Sequence, residues 1–502
     1  MDKRTVSAII LSMLVLVTWS LLTRRNPQNT QVIENKTVTD IKIPEIKTSQ
    51  DPLSKLQSQE INIGENQASF IPSLAAIKEI KYPKYNNYVF SLRGLYLDGL
   101  NAGFAQTSVG LSPAFVYSDA EKSITQEYKF SKFNNTIELS LKIQNKKSED
   151  LTINLPFILS SVLKPSGDEA RFQSQEIIIK TPDRILRSSP WKDIITPEPI
   201  KFIAYRERYF CAILQPQDGK SRAFIKKLNS SGTTAGVVLD AQLPANKEVT
   251  MKFLLYLGPQ DEAVLKSINP DWSEIVNYGF FTPISKFLLE VLRFLFKIVH
   301  NWGVAIILLS LLIYFVLFPL SIQQLRSMKE MQAIQPKVEE LRKIYKDNPQ
   351  KLNKEIMELY KEHKVNPFGG CLPLILQIPV FFALYQALMR SLELKGASFL
   401  WIKDLSRPDE LFTLPVQLPI LGNQVNILPL LMCVVMFLQQ KMTSKASAVS
   451  SEQQKMMLIL FPVMFGIIFY HMPAGLVMYW FINSLLMFVY QLKISKPNVA
   501  KE

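Results

Sequence analysis

The chain has little that could do covalent chemistry. Its 502 residues include only three cysteines and three histidines. Cys371 and Cys433 fall in strongly apolar stretches, which leaves Cys211 alone in the large hydrophilic region. That region therefore holds no internal disulfide, and cysteine usage says nothing about its redox compartment. His300, His363 and His471 lie far apart and lack metal-ligand spacing. There is no HExxH, no GxSxG and no Walker loop. No acidic residue is embedded in an apolar run, as proton-coupled transport would need, and no inverted repeat of the transporter kind is visible. These absences argue against an enzyme and against a pump; no cofactor and no metal is expected.

What is present is hydrophobicity, unevenly spread. Hydrophobic residues make up 48% of the chain, concentrated in 302–320, 371–392, 425–438 and 456–490. Runs of this kind can cross a hydrocarbon layer about 30 Å thick. The last one would measure about 50 Å as a single helix, so it divides at His471-Met-Pro-Ala-Gly475 into two spans. The formal charge of +14 comes without a zinc-ligand set or a helix-turn-helix pattern, so no specific nucleic acid is expected. Lysines on solvated loops and on the cytoplasmic side of a membrane protein account for it. Val6–Leu22 is apolar, flanked by Lys3-Arg4 and Arg24-Arg25, with no small-residue cleavage site after it. The expectation is an uncleaved transmembrane anchor over 1–25, followed by a flexible polar tether over 26–80.

Over 81–270 the period changes to two. Thr136 to Ile143 alternates strictly, with Ile137, Leu139, Leu141 and Ile143 on one face. Many short runs of this type, separated by turn residues, predict an all-β sandwich with a scaffolding or partner-binding role. Residues 279–300 place apolar side chains at helical spacing and Lys286, Glu290, Arg293 and Lys297 on other faces, as in an interfacial amphipathic helix. The stretch 301–492 is then a membrane core of five spans. Inserted in it, 322–365 repeats Met331, Ile334, Val338, Leu341 and Tyr345, breaks at Asp347-Asn-Pro349, and resumes at Leu352, Ile356 and Leu359. That describes a helical hairpin standing in water. Its region carries ten Lys/Arg against seven Asp/Glu, which favours the cytoplasm. Alternation of spans then leaves both termini cytoplasmic and the β domain outside. The predicted architecture is a multi-domain membrane protein: an anchor span, an extracytoplasmic β sandwich and an α-helical core.

The polar residues inside the spans are uncharged: Ser310, Tyr314, Gln377, Gln386, Tyr479, Asn483 and Ser484. Ser310 and Tyr314 lie four apart, on one face of a helix. Three readings stand for such a pair: ordinary helix packing, a wet pocket, or a site whose usual polar group has been replaced.

Several motifs carry a family resemblance. Lys364-Val-Asn-Pro-Phe-Gly-Gly-Cys-Leu-Pro373, with Gln377-Ile-Pro-Val-Phe-Phe-Ala-Leu-Tyr385, closely resembles the signature of YidC-type membrane protein insertases. The same holds for Asn301-Trp-Gly303, Met331-Gln-Ala-Ile-Gln-Pro-Lys337, Pro473-Ala-Gly-Leu-Val-Met-Tyr-Trp480 and Tyr256-Leu-Gly-Pro259. The form resembled is the bacterial one with a large periplasmic domain in the inner membrane. The resemblance implies a groove open to cytoplasm and lipid but closed to the outside. Through it, nascent membrane proteins enter the bilayer, with or without the Sec translocon. It also implies contact with membrane lipid, while the short basic tail implies only a weak ribosome contact. Candidate groove residues are Ser310, Tyr314, Gln377, Tyr479, Trp480 and Asn483. Candidates for receiving substrate on the hairpin are Met331, Pro336, Tyr345 and Tyr360. The family usually places an arginine where Tyr314 stands, and no Lys or Arg occurs within 303–320. The rival from another class is a polytopic transporter of a small solute or lipid, which should show paired broken helices in two halves. A third, an intramembrane enzyme, should show a nucleophile or a metal set.

Overall fold

The computed structural model describes residues 56–100, 103–108, 112–131, 135–163, 175–188, 193–228, 232–363, 365, 372–418, 421–445 and 452–494. The expected anchor (1–25), the tether as far as residue 55 and the tail beyond 494 lie outside the described residues. Two compact units divide between Asn277 and Tyr278.

The first unit is built from antiparallel sheets. A nine-stranded sheet runs, in spatial order, through 185–188, 176–180, 202–206, 210–216, 248–259, 136–145, 122–130, 114–118 and 105–108. A five-stranded sheet, centred on Leu151–Leu163 and Gly232–Leu243, packs on it, with Phe157 stacked on Phe253 at 5.8 Å. Alternation decides which side is buried. In Thr136–Asn145, Ile137, Leu139, Leu141 and Ile143 are buried while Glu138, Lys142 and Gln144 are exposed.

Residues 56–80, read from sequence as the end of the tether, differ from that expectation. Gln59–Ile63, Asn66–Ile71 and Ala76–Tyr82 join Tyr88–Gly94 in a four-stranded sheet. Gly64, at φ 61°, opens the two-residue turn between the first two strands. The reason they order is aromatic burial against the nine-stranded sheet. Phe70 meets Tyr128 edge-on at 5.5 Å, Tyr88 stacks on Phe210 at 4.5 Å, and Tyr82 donates to the Leu257 carbonyl at 2.6 Å. At the other end of the unit, helix α1 (Glu262–Ile268) begins at Asp261, whose carboxylate accepts from the Ala263 and Val264 amides. The following turn buries Trp272 and is held by Arg206, which pairs with Glu176 at 2.6 Å and donates to the Ile275 carbonyl.

The second unit is helical: α2 (Thr282–Val299), α3 (Trp302–Ala333), α4 (Gln335–Ile344), α5 (Pro349–Glu362), α6 (Leu372–Arg390), α7 (Ile427–Lys445), α8 (Glu452–Tyr470) and α9 (Ala474–Ile494). Helix α3 continues past its apolar part to a total length of about 48 Å, longer than the hydrocarbon thickness, so its polar end projects. Trp302–Pro319 and Ala474–Lys493 are long and apolar enough to cross a membrane. The bundle is also apolar outside: Phe315 and Val316 on α3, Val434 on α7, and Ile459 and Val463 on α8 are exposed. Water would not tolerate so large an apolar surface, whereas lipid would. Inside, Ala305, Ala383, Ala387 and Ala474 are buried and let the helices approach closely.

Helix α2 has three stripes. Ser285, Leu288, Leu289 and Leu292 are buried, and Ser285 donates to the Ala383 carbonyl of α6 at 2.9 Å. Ile284, Phe287, Phe294 and Ile298 form an exposed apolar stripe. On the polar stripe, Arg293 pairs with Glu393 at 2.6 Å. Burial opposes the Glu393 charge, but Arg293, its own backbone amide and Ser391 outweigh it and hold the carboxyl below its ordinary range.

One end of the bundle is closed by the 391–426 loop. Asp409, buried, accepts from the first amides of α7, Ile427 at 2.8 Å and Leu428 at 2.9 Å, and from the Trp401 indole at 3.2 Å. Asn426 donates to the Tyr470 carbonyl, and the Tyr470 hydroxyl to Gln424. The Ala474 and Gly475 amides, opening α9, donate to Arg407 and Leu405. Asn301 caps α3 through the Val304 amide. Gly303 is required next to it, because a β-carbon there would lie 2.1 Å from the Phe399 ring.

Two outcomes follow from this packing. Gly303→Ala should displace Phe399 and cost about 1–3 kcal/mol, read as a lower thermal midpoint of the detergent-solubilised chain. Asp409→Ala should leave up to three donors without an acceptor, at about 1–3 kcal/mol each. Amide exchange at 426–430 should then accelerate, and unchanged exchange there would contradict the capping role.

Candidate functional site

Helix α9 is the common wall, packing against α3, α6 and α7. Tyr479 and Asn483 are one turn apart, and Tyr490 lies seven residues beyond Asn483, so all three share one face over about 16 Å. Tyr479 is fully buried. The side-chain amides of Gln377, from α6, and Asn483 approach its hydroxyl. That hydroxyl still closes no hydrogen bond of ordinary geometry among the described residues. Asn483 donates instead to the Tyr479 carbonyl at 3.3 Å. Three of the six candidate groove residues, Gln377, Tyr479 and Asn483, thus come together.

Tyr314 forms a second polar point. Its ring lies 5.6 Å from that of Phe318, which meets Tyr490 of α9 edge-on at 4.9 Å. Its hydroxyl is enclosed and has no hydrogen-bond partner among the described residues. Ser310 is different. It is fully buried and donates to the Ile306 carbonyl one turn back at 2.7 Å, so its hydroxyl is occupied by its own helix. Trp480 faces away from the polar seam into an aromatic cluster, 5.2 Å from Phe381, 5.6 Å from Phe465 and 5.5 Å from Phe469.

Sequence reasoning did not single out Tyr490 or the buried Gln491. The signal was available: they repeat Asn483 and Ser484 at a spacing of seven, which is two helical turns.

On the hairpin, Ile334, Val338 and Val365 are buried. Asn348 caps α5 at the Lys351 amide, with Pro349 in its first turn. Pro336 is exposed in the first turn of α4. Tyr345 ends α4, with the Lys351 ammonium 5.0 Å from its ring centre. Tyr360 is half-buried in α5, and its carbonyl accepts from the Val365 amide. Met331 falls within α3, but its side chain lies outside the described residues. Elsewhere, Cys211 is buried and burial pushes its thiol up, so it is chemically inert.

The chain is similar to known proteins along most of its length. The family model described as the 60Kd inner membrane protein matches residues 294–501, and the YidC periplasmic domain matches 96–291. The membrane protein insertase YidC of Pelobacter propionicus is 36% identical over 382 residues, spanning 74% of this chain and 69% of the relative. That of Geobacter sulfurreducens is 33% identical over 435 residues, spanning 83% and 78%. A crystal structure of an active YidC insertase with its first transmembrane domain resolved is similar at 17% identity and a TM-score of 0.40, over 86% of this chain and 92% of that one. With two adjoining domain matches and relatives a third identical over most of their own length, the chain belongs to the YidC family of membrane protein insertases.

Proposed function

We propose that this insertase moves hydrophilic stretches of new membrane proteins along a neutral polar seam between α3, α6 and α9. The observation that carries this reading is the pair of enclosed tyrosine hydroxyls: Tyr314 has no hydrogen-bond partner among the described residues, and Tyr479 is approached by the Gln377 and Asn483 amides without a hydrogen bond of ordinary geometry. An unsatisfied buried donor costs about 1–3 kcal/mol, and water or a passing peptide group would remove that cost. The seam thereby lowers the barrier to carrying polar backbone into hydrocarbon. No bond is made or broken, and no cofactor takes part.

The wider arrangement belongs to the same proposal. An anchor at 1–25 and five spans, α3, α6, α7, α8 and α9, cross the inner membrane. The exposed stripe of α2 lies along the lipid surface. Lysine and arginine bias puts both termini and the 322–365 hairpin in the cytoplasm, and the β domain in the periplasm. The 391–426 loop then closes the seam to the outside. Substrates arrive at the hairpin from the ribosome, held weakly, or from the Sec translocon.

Tyr314 gives this seam a character of its own. It offers a hydroxyl and an amphipathic ring but no charge. The 303–320 span holds no Lys or Arg, so acidic segments would not be drawn in by fixed positive charge.

Depletion of the protein with pulse-labelling of single- and double-span membrane proteins tests the main reading; normal insertion throughout would sink it. A photo-crosslinker at Tyr314 should capture a ribosome-bound nascent segment, and a blank there with crosslinks elsewhere would relocate the seam. Tyr314→Phe should slow insertion of substrates with polar translocated segments about two- to tenfold, the worth of one hydrogen bond. Equal rates would show that the hydroxyl does not matter. Tyr314→Arg should favour acidic segments and make insertion sensitive to salt.

A further inference from the structure

The loop that closes the bundle also carries a feature the closure does not use. Phe412–Leu418 and Gly422–Val425 form an isolated two-stranded hairpin. Its pairing is regular only at the base, Phe412 with Val425 and Thr413 with Gln424. The register then jumps to Leu418 opposite Gly422, so Leu414-Pro-Val-Gln417 bulges out of the ladder. Pro415 lacks an amide hydrogen and suits an unpaired position. Phe412 is 50% exposed and Val416 63% exposed.

We propose that this hairpin seats its bulge in the lipid interface at the end of the bundle, holding that end at the bilayer surface. Four observations point to lipid as the occupant. First, no Asp, Glu, Lys or Arg occurs between Glu410 and Lys441, so the hairpin has no charge to desolvate. Second, it is continuous with a lipid-facing surface: Val425 leads through Asn426 into α7, where Leu430, Leu431 and Val434 are exposed. Third, hydrogen bonds hold its base at the level where α7 starts and α8 ends. The Leu411 amide donates to Val425, Glu410 to the Asn426 side chain, and the Tyr470 hydroxyl to Gln424. Fourth, the same loop presents another apolar point: Leu400, at φ 52° in the Phe399–Ile402 turn, is 76% exposed. Such apolar tips in water promote association.

The depth of seating follows from the backbone. A two-stranded hairpin has open edges, and open edges do not occur in the hydrocarbon layer. The interface, with its water and phosphates, satisfies the edges while receiving the bulge. Thr413, Gln417 and Asn423, exposed and neutral, suit that layer. This seating does not depend on the polar seam, nor on which side of the membrane the loop occupies.

The test is depth-resolved fluorescence on the full-length chain in phosphatidylethanolamine–phosphatidylglycerol vesicles. Cys211, Cys371 and Cys433 are replaced by alanine, and an environment-sensitive dye is placed on Val416→Cys, Leu400→Cys or, for comparison, the exposed Lys403→Cys. Val416 and Leu400 are exposed in the folded chain, so the labels do not enter its core. The expected result is blue-shifted emission from Val416 and Leu400, quenched at least threefold more by lipid spin-labelled near the headgroup than near the tail end. Iodide should quench only the Lys403 label. Equal iodide quenching at Val416 and Lys403 would overturn the proposal. Shielding at Val416 that disappears as protein is diluted in lipid would also overturn it, assigning the bulge to a second copy of the chain.

Discussion

In hydrocarbon, a polar group must find its partner within the protein, and the helical unit is organised around that constraint. Several helix-start amides meet it at one end, and it is left unmet along one face. At the closed end, the first amides of α7 have the Asp409 carboxylate, those of α9 have the Arg407 and Leu405 carbonyls, and that of Val304 in α3 has Asn301. The starts of α7 and α9 are thereby satisfied by the neighbouring 405–409 segment, and that of α3 by its own cap. Where α3 and α6 meet α9, in contrast, the enclosed Tyr314 hydroxyl has no partner among the described residues, and that of Tyr479 closes no hydrogen bond of ordinary geometry with the Gln377 and Asn483 amides beside it. A helical bundle built for stability alone would fill those positions with phenylalanine. The asymmetry between a satisfied end and an unsatisfied face is the basis for proposing that face as the insertion path.

The two units differ in what they show outward. The β unit hides its apolar side chains between sheets and shows charge on its strands, as Thr136–Asn145 does residue by residue. The helical unit also buries large apolar side chains such as Leu292, Leu309, Leu388 and Met432, with alanines and a few polar groups among them, but it shows phenylalanine, valine and isoleucine outward as well. Helix α2 shows both kinds of surface in one element. It has a stripe for the bundle, a stripe of exposed Phe287, Phe294 and Ile298, and a charged stripe anchored by the Arg293–Glu393 pair. Such a helix is stable only where three environments meet. An amphipathic helix with two faces would do for a soluble core.

Where periodicity is strong, the sequence was a sufficient guide. The alternation of 136–143 and the helical spacing of 280–299 are both visible in the chain, and the interruption at His471–Gly475 separates α8 from α9. Three features were hidden for physical reasons. The strands within 59–82 are short and rich in Asn, Gln and Ser, and they order through distant rings such as Tyr128 and Phe210 rather than through local pattern. The 412–425 hairpin has no charge to mark it off from the span that follows. Tyr490 shares the α9 face of Tyr479 and Asn483 and meets α3 through Phe318, and single-chain spacing suggests such a contact without identifying the partner. The motif Asn301-Trp-Gly303 was recognisable as a signature, but its cause is tertiary: the glycine leaves room for Phe399.

A neutral seam and a charged one differ in what they can carry. A cation at the centre of a span costs about 2.5–3.5 kcal/mol on insertion scales and offers hydrogen-bond donors only. It therefore favours carbonyls and carboxylates and leaves peptide amides unserved. A tyrosine hydroxyl both donates and accepts, so it can meet either group of a passing backbone, with a smaller burial cost of about 1–3 kcal/mol when empty. On the proposed seam, tyrosine at 314 would attract more weakly than a cation but with less dependence on the charge of the passenger, and without screening by salt. Selection by such a seam would then shift from the sign of the substrate's charge to how readily its polar stretch sheds water, a property of length and composition rather than of any single residue.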